Sequence, residues 1–328
     1  MTTEADSGLD QLQARVESGV ERIESLLIER THSDDGMVTE AARHLLEAGG
    51  KRFRPLLTVL AAQFGDAEHE DVIKAGVVVE LTHLATLYHD DVMDEAPRRR
   101  GAPSANSRWD NSVAILVGDF LFARASALVA DLGTEAVRIQ AETFARLVHG
   151  QIKETVGPSE NENLLDHYLQ VVADKTGSLI AASALLGAKM SGATSDVQET
   201  LLAFGERIGV AFQLADDIID IASESQDSGK TPGTDLREGV PTLPTLYILA
   251  SDDLADADLK QRLSAPITDE ALVAQTLEEL REHSALAQAR DYVLGEAEAA
   301  RALLADLPAG APRDALDALC DRVVHRIA

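Results

Sequence analysis

Cysteine occurs once in this chain, at Cys320, which excludes an internal disulfide and a cysteine-built zinc site. Aromatic residues are scarce at 4%, although an apolar fraction of 45% is ordinary for a globular protein. Positive charge is also in short supply. Against 56 Asp+Glu there are 29 Lys+Arg, a formal charge of −27, which argues against nucleic acid or anionic lipid as a general partner. No uninterrupted run reaches the roughly 18 apolar residues of a bilayer span, so no transmembrane segment is expected. The acidic N-terminal stretch lacks the basic and apolar regions of a signal peptide, and a cytoplasmic location is expected. Nor does a Pro/Gly/Ser-rich linker divide the 328 residues, so a single domain over 1–328 is expected although the length would allow two.

What is present is helical periodicity. Alanine and leucine are frequent, and no alternating strand pattern stands out. Helices are expected at about 9–30, 37–48, 54–64, 69–94, 105–131, 134–156, 160–191, 195–222, 243–251, 268–305 and 311–327, with a turn from Pro97 to Pro103. Ser223 to Pro244 is polar and Gly/Pro-punctuated, and reads as a flap-like loop at about 223–244. The helices share no fixed period, which excludes a solenoid. The fold class expected is all-α, one large helical bundle whose central helices are apolar nearly all round.

One string occurs twice, as Asp90-Asp91-Val92-Met93-Asp94 and as Asp216-Asp217-Ile218-Ile219-Asp220, 126 positions apart. Each ends an apolar helical stretch. Residues four apart on a helix lie about 40° apart around its axis, so Asp90 pairs with Asp94 and Asp216 with Asp220. Burying such pairs without a cation is costly through desolvation and like-charge repulsion. A hard divalent ion such as Mg²⁺ removes the conflict and keeps positions for water or phosphate oxygens. Neither string has the Gly and distal Glu of a calcium-binding EF-hand loop. A single acidic cluster would read as a wet helix end, whereas two matched ones point to facing metal cradles.

Local basic clusters interrupt the acidic background. Gly50-Lys51-Arg52-Phe53-Arg54-Pro55 leads into a helix, and Arg98-Arg99-Arg100-Gly101 follows the first string. His83 lies two helical turns before Asp90 on nearly the same face. Asp174-Lys175-Thr176-Gly177 and Gln213 place polar groups on otherwise apolar helices, and Lys230 sits in the loop after the second string. Carboxylates for Mg²⁺ beside cationic turns are the two parts that a diphosphate site needs.

These motifs, extending through Gly229 to Leu236 and covering nearly the whole chain, resemble the all-trans isoprenyl diphosphate synthases, or polyprenyl synthetases. The resemblance implies head-to-tail addition of isopentenyl diphosphate to an allylic diphosphate (geranyl, farnesyl or geranylgeranyl), with release of pyrophosphate. It implies a homodimer of helical subunits, each with a central cavity between the boxes, and Mg²⁺ as cofactor, about three ions per loaded site. Asp90 and Asp94 would hold two ions and Asp216 a third, with Asp91, Asp217 and Asp220 supporting. Arg99, Lys175 and Lys230 look like contacts of the allylic diphosphate, and Thr176 and Gln213 would direct oxygen dipoles at its carbocation. Lys51, Arg54, His83 and Arg100 look like the isopentenyl diphosphate pocket. One departure is Val240, where many relatives carry a lysine after the Glu-Gly pair seen here as Glu238-Gly239.

In this family the growing tail runs along the helix before the first box. Ala85 and Thr86, five and four residues before Asp90, are small, with Thr82 a turn deeper, which implies a product of C20 or longer. Two rivals stay open. A class I terpene cyclase would also ionise an allylic diphosphate, but usually lacks a second aspartate box. A non-catalytic subunit of a heteromeric synthase would keep the fold with degraded boxes.

Overall fold

A computed structural model of the chain describes residues 2–223 and 232–327, and it is all-α apart from one two-residue ribbon. Two compact units interleave along the sequence. One gathers Met1–Ala145, Leu179–Gly205 and Leu303–Leu316, the other Arg146–Ser178, Glu206–Ala302 and Asp317–Ala328.

In the first unit, α1 (Thr2–Arg30), α2 (Gly36–Glu47) and α3 (Phe53–Ala62) precede the long helix α4 (Glu70–Met93). After it come the strands β1 (Arg98–Arg99) and β2 (Ala102–Pro103), then α5 (Ala105–Arg108) and α6 (Asn111–Ala130). Helix α4 packs against α1, α3 and α6 and is buried on every side, through Val72, Val77, Val79, Leu81, Leu84 and Tyr88 among others. Each such side chain contributes about 1.5–3 kcal/mol on burial, which is what holds a helix that carries carboxylates at its end. At Gly118 α6 comes close to α4: a Cβ there would stand 3.1 Å from Ala85 O and would displace the His89 ring.

The second unit takes the end of α7 (Thr134–Val156), all of α8 (Leu164–Val172), a π-helical turn at Ala173–Gly177, and most of α10 (Ser195–Ala222), while α9 (Ser178–Met190) leads back to the first. It continues through α11 (Thr234–Glu238), α12 (Leu243–Ala250), α13 (Ala257–Leu263), α14 (Glu270–Glu282) and α15 (Ser284–Leu303), and α16 (Ala311–His325) runs into it from the first unit. Cys320 is buried here, and burial pushes its thiol up to about 12.

Helices α7 and α10 span the expected residues. Other elements depart from expectation for local reasons. The helix expected over 105–131 breaks at Trp109–Asp110, because the Asp110 carboxylate accepts from Val113 N and starts α6 afresh. The one expected over 160–191 starts only after Asn163, whose side chain caps α8, and widens into the π-turn. That over 268–305 divides at His283, whose Nδ1 accepts from Ala285 N at 3.0 Å. The turn at 97–103 is a β-ribbon, and the 223–244 segment holds a short helix, α11, ended by Gly239 at φ 71°. Residues 224–231 of that segment lie outside the described residues. By length and mean hydropathy alone two segments, Asn111–Ala130 and Leu164–Met190, could cross a bilayer, but the second is 83% buried as a core helix is, and the pair gives no clear transmembrane segment, in line with expectation.

Candidate functional site

The first carboxylate string closes α4. Asp90 and Asp91 lie in its last turn, whereas Asp94 is the residue that caps it (φ −85°, ψ 0°), with its side chain 37% exposed. Asp91 faces inward and is fully buried, its Oδ1 accepting from Arg99 Nε at 2.6 Å. Burial raises the Asp91 carboxyl above its ordinary value even though the Arg99 charge pulls it down. Asp91 thus meets a protein cation inside the fold, a use different from the metal support implied by resemblance. Arg99 also reaches toward Asp94, at 3.9 Å.

The ribbon after the string aims these arginines. Arg98 pairs with Pro103 and Arg99 with Ala102, and the two residues between, Arg100 and Gly101, both have positive φ (53° and 78°). That is the two-residue hairpin turn whose twist matches the strands. Arg100 endures the left-handed conformation because its guanidinium is tied down, donating to Leu45 O at 2.8 Å and to Gly49 O. Arg52, also left-handed (φ 45°), is held the same way by Glu24, by the buried Glu80 and by Leu46 O at 3.0 Å. It starts α3, so it sets the turn from which exposed Lys51 and half-buried Arg54 extend.

His83 reports the resulting field. Its pKa lies well below the ordinary imidazole value, first through burial and then through the charges of Arg54, Arg100, Arg99 and Arg52. The first unit thereby brings four guanidinium groups and a neutral imidazole into one electrostatic neighbourhood, the character of an anion site. Ala85 and Thr86 are both buried on α4, and one turn deeper Thr82 accepts from Gln140 Nε2 at 3.4 Å. Glu80, which holds Arg52, and Gln140 are not marked by the sequence motifs.

The second unit carries the other string near the end of α10. Arg326 donates to Asp216 Oδ1 while its guanidinium lies 4.8 Å from the centre of the Phe212 ring. Asp217 accepts from Gln213 Nε2 at 2.8 Å and from the Tyr168 hydroxyl. Burial, then the neighbouring Asp217 charge, pushes the Tyr168 phenol well up, so it is a permanent donor. Asp220 is buried and accepts from Asp235 N at 3.2 Å, tying the start of α11 to α10. Thr176 donates to Gln213 Oε1 at 3.0 Å, and Lys175 pairs with Glu154. Thr176, Gln213 and Asp217 are therefore joined, Lys175 precedes Thr176 in the chain and pairs with Glu154, and Lys230 lies outside the described residues. Arg326, Tyr168 and Glu154 are additions that the sequence motifs did not mark.

Among the described residues, no three His, Cys, Asp or Glu side chains converge into a self-sufficient metal site. Carboxylate oxygens offered in ones and twos suit Mg²⁺ nonetheless, since that ion completes its shell with water and substrate phosphate. A guanidinium already stands against Asp216, so that position accepts a cation.

The polyprenyl synthetase family profile matches residues 35–280. The chain is 52% identical over 322 residues, 98% of its length and 96% of the relative's, to a nonaprenyl diphosphate synthase of Mycobacterium tuberculosis. A crystal structure of geranylgeranyl pyrophosphate synthase from Corynebacterium glutamicum, complexed with calcium and isoprenyl diphosphate, superposes with a TM-score of 0.86 at 46% identity, covering 97% of this chain and 98% of that one. A decaprenyl diphosphate synthase from Rhodobacter capsulatus gives 0.88 at 34% identity, covering 98% and 99%.

Proposed function

The chain belongs to the polyprenyl synthetase family, and from that premise we propose how its residues divide the work of a trans-prenyl diphosphate synthase. It extends an allylic diphosphate with isopentenyl diphosphate to a linear product of C20 or longer, releasing pyrophosphate. Two units of one synthase domain share the labour. When bound, Mg²⁺ held by Asp90, Asp94 and Asp216 supplies Lewis-acid stabilisation of the departing diphosphate.

Arg99, Lys175 and Lys230 bind the allylic diphosphate, and Lys175 exchanges its Glu154 partner for phosphate oxygen. Lys51, Arg54, His83 and Arg100 bind isopentenyl diphosphate. His83, kept neutral first by burial and then by its arginine neighbours, contributes a hydrogen bond rather than a charge. Asp217 fixes the Gln213 amide so that its oxygen, with the Thr176 hydroxyl, stabilises the cation left by ionisation. Asp91 supports the site by holding Arg99. The proton released after coupling passes to the departing diphosphate, and apolar walls keep water from the cation. Ala85 and Thr86 leave room for the tail along α4.

Helix α6 supports a homodimer. Its outward face carries Ile115 and Leu116, the latter 65% exposed, an apolar surface suited to a second copy. A cytoplasmic site of action agrees with substrates that are charged diphosphates.

The observation that carries the reading is the convergence of the Arg52 and Arg100 guanidiniums on Gly49 O, with Arg99 held by Asp91, on the unit that also holds the first box. The test is incubation of purified protein with Mg²⁺, farnesyl diphosphate and labelled isopentenyl diphosphate. Linear products beyond farnesyl are expected. A cyclic hydrocarbon would indicate a cyclase, and inactivity without a second protein would indicate a subunit. Ala85→Phe should shorten the chromatographed products, and an unchanged length distribution would remove the assignment of the tail to α4.

A further inference from the structure

The π-helical turn that displays Lys175 and Thr176 is held by α7, two of whose residues, Arg146 and Gly150, no step above uses. On α7, Arg146, Gly150 and Glu154 stand four residues apart and form a single stripe. All three meet the turn. Arg146 Nε donates to Asp174 Oδ1 at 2.6 Å and Nη2 to Ala173 O at 3.4 Å, while its other bonds go to both oxygens of Glu206 on α10. Gly150 lets the backbones close up, since a Cβ there would stand 2.7 Å from Lys175 N. Glu154 receives the Lys175 ammonium.

Asp174 is buried, and its second oxygen accepts from Gln170 Nε2 at 2.7 Å. A buried carboxylate left without its cation would move or take up a proton, and the turn would move with it. The widened bonding is visible in Ser178 N–H, which reaches back five residues to Ala173 O, while Ser178 Oγ satisfies Asp174 O at 2.6 Å. One guanidinium thus locks the first two residues of the turn to α7 and α10, and the next two residues are those that face the allylic diphosphate in the reading above.

We propose that Arg146 is a positioning residue for the allylic substrate: by joining Asp174 to Glu206 it sets where Lys175 and Thr176 stand. The inference rests on the synthase reading. Its signature is selectivity, because isopentenyl diphosphate is handled by residues on the other unit.

The test uses the full-length protein with Arg146→Gln and, independently, Gly150→Ala, which intrudes on the same turn without altering charge. Steady-state constants for farnesyl diphosphate and isopentenyl diphosphate are compared, and calorimetry with Mg²⁺ measures binding of the slow-reacting farnesyl thiodiphosphate. Either variant should weaken kcat/KM and binding for the allylic side by about tenfold or more while the isopentenyl diphosphate KM stays within about twofold. In a Lys175→Gln background, Arg146→Gln should add little further loss. Equal losses toward both substrates, full additivity with Lys175→Gln, or unchanged allylic constants would overturn the proposal. If Arg146→Gln does not fold, Arg146→Lys, which keeps the charge but not the forked bonds to Asp174 and Glu206, takes its place in the same comparison. Absence of elongation by the unaltered protein would instead defeat the synthase reading, which keeps the two failures distinct.

Discussion

At Asp90–Asp94 the helix stops on the third aspartate, whereas at Asp216–Asp220 it runs on to Ala222. The same five-letter pattern is therefore used differently. In the first copy the middle carboxylate, Asp91, is the buried one and holds Arg99, while Asp94 caps the helix in contact with solvent. In the second the last carboxylate, Asp220, is buried and holds the start of α11, while Asp216 faces Arg326 and Asp217 receives Gln213 and Tyr168. The copy that ends its helix buries its second aspartate, and the copy whose helix runs on buries its third. A motif written in residue types does not carry that distinction.

The contrast can be broken by substitution. Asp90→Ala should lower kcat by about 10³-fold and Asp216→Ala by about 10²-fold, since the first box is assigned more of the metal charge. Equal losses would remove the asymmetry. On stability, Asp91→Asn leaves Arg99 without its buried counter-charge and should cost about 3 kcal/mol in urea unfolding. Asp217→Asn keeps an acceptor for Tyr168 and should cost about 1 kcal/mol. The reverse order would show that Asp91 does not anchor Arg99.

His83 sharpens the comparison through pH. Its folded pKa lies below the ordinary value of 6.5. As pH falls through about 6.5 the unfolded chain takes up a proton that the folded protein refuses, so stability declines by up to about 1.4 kcal/mol per pH unit until the folded pKa is reached. His83→Gln should flatten that part of the melting-temperature profile; an unaltered slope would place the titrating group elsewhere. The smallest effect is expected at Arg326. Removing its competition for Asp216 with Arg326→Gln should lower the Mg²⁺ concentration for half-saturation by up to about fivefold, read by calorimetry in the presence of pyrophosphate.

Much of the helical framework was legible because periodicity is local. Helix α10 covers the expected 195–222 and α7 the expected 134–156. The breaks were not, because a capping carboxylate such as Asp110 competes for backbone donors that the hydrophobic pattern assigns to a continuing helix. At the site, both carboxylate strings and the basic turns could be read from spacing. Their partners could not, since Arg326 meets Asp216 across 110 positions, Tyr168 meets Asp217 across 49 and Arg146 meets Glu206 across 60. That the second aspartate, Asp91, is the buried one in the first string and the third, Asp220, in the second depends on how each helix packs, which residue type alone does not encode.

The lone thiol makes the molecule convenient to instrument. Cys320 is buried and stays protonated to about pH 12, and thiol reagents attack the thiolate, so maleimide dyes should pass it over in the native state. Exposed Glu95→Cys and Glu238→Cys would then accept a donor–acceptor fluorophore pair with the natural sulfur left in place. Energy transfer between them would give an optical ruler for the span separating the two acidic motifs, readable before and after substrate is added.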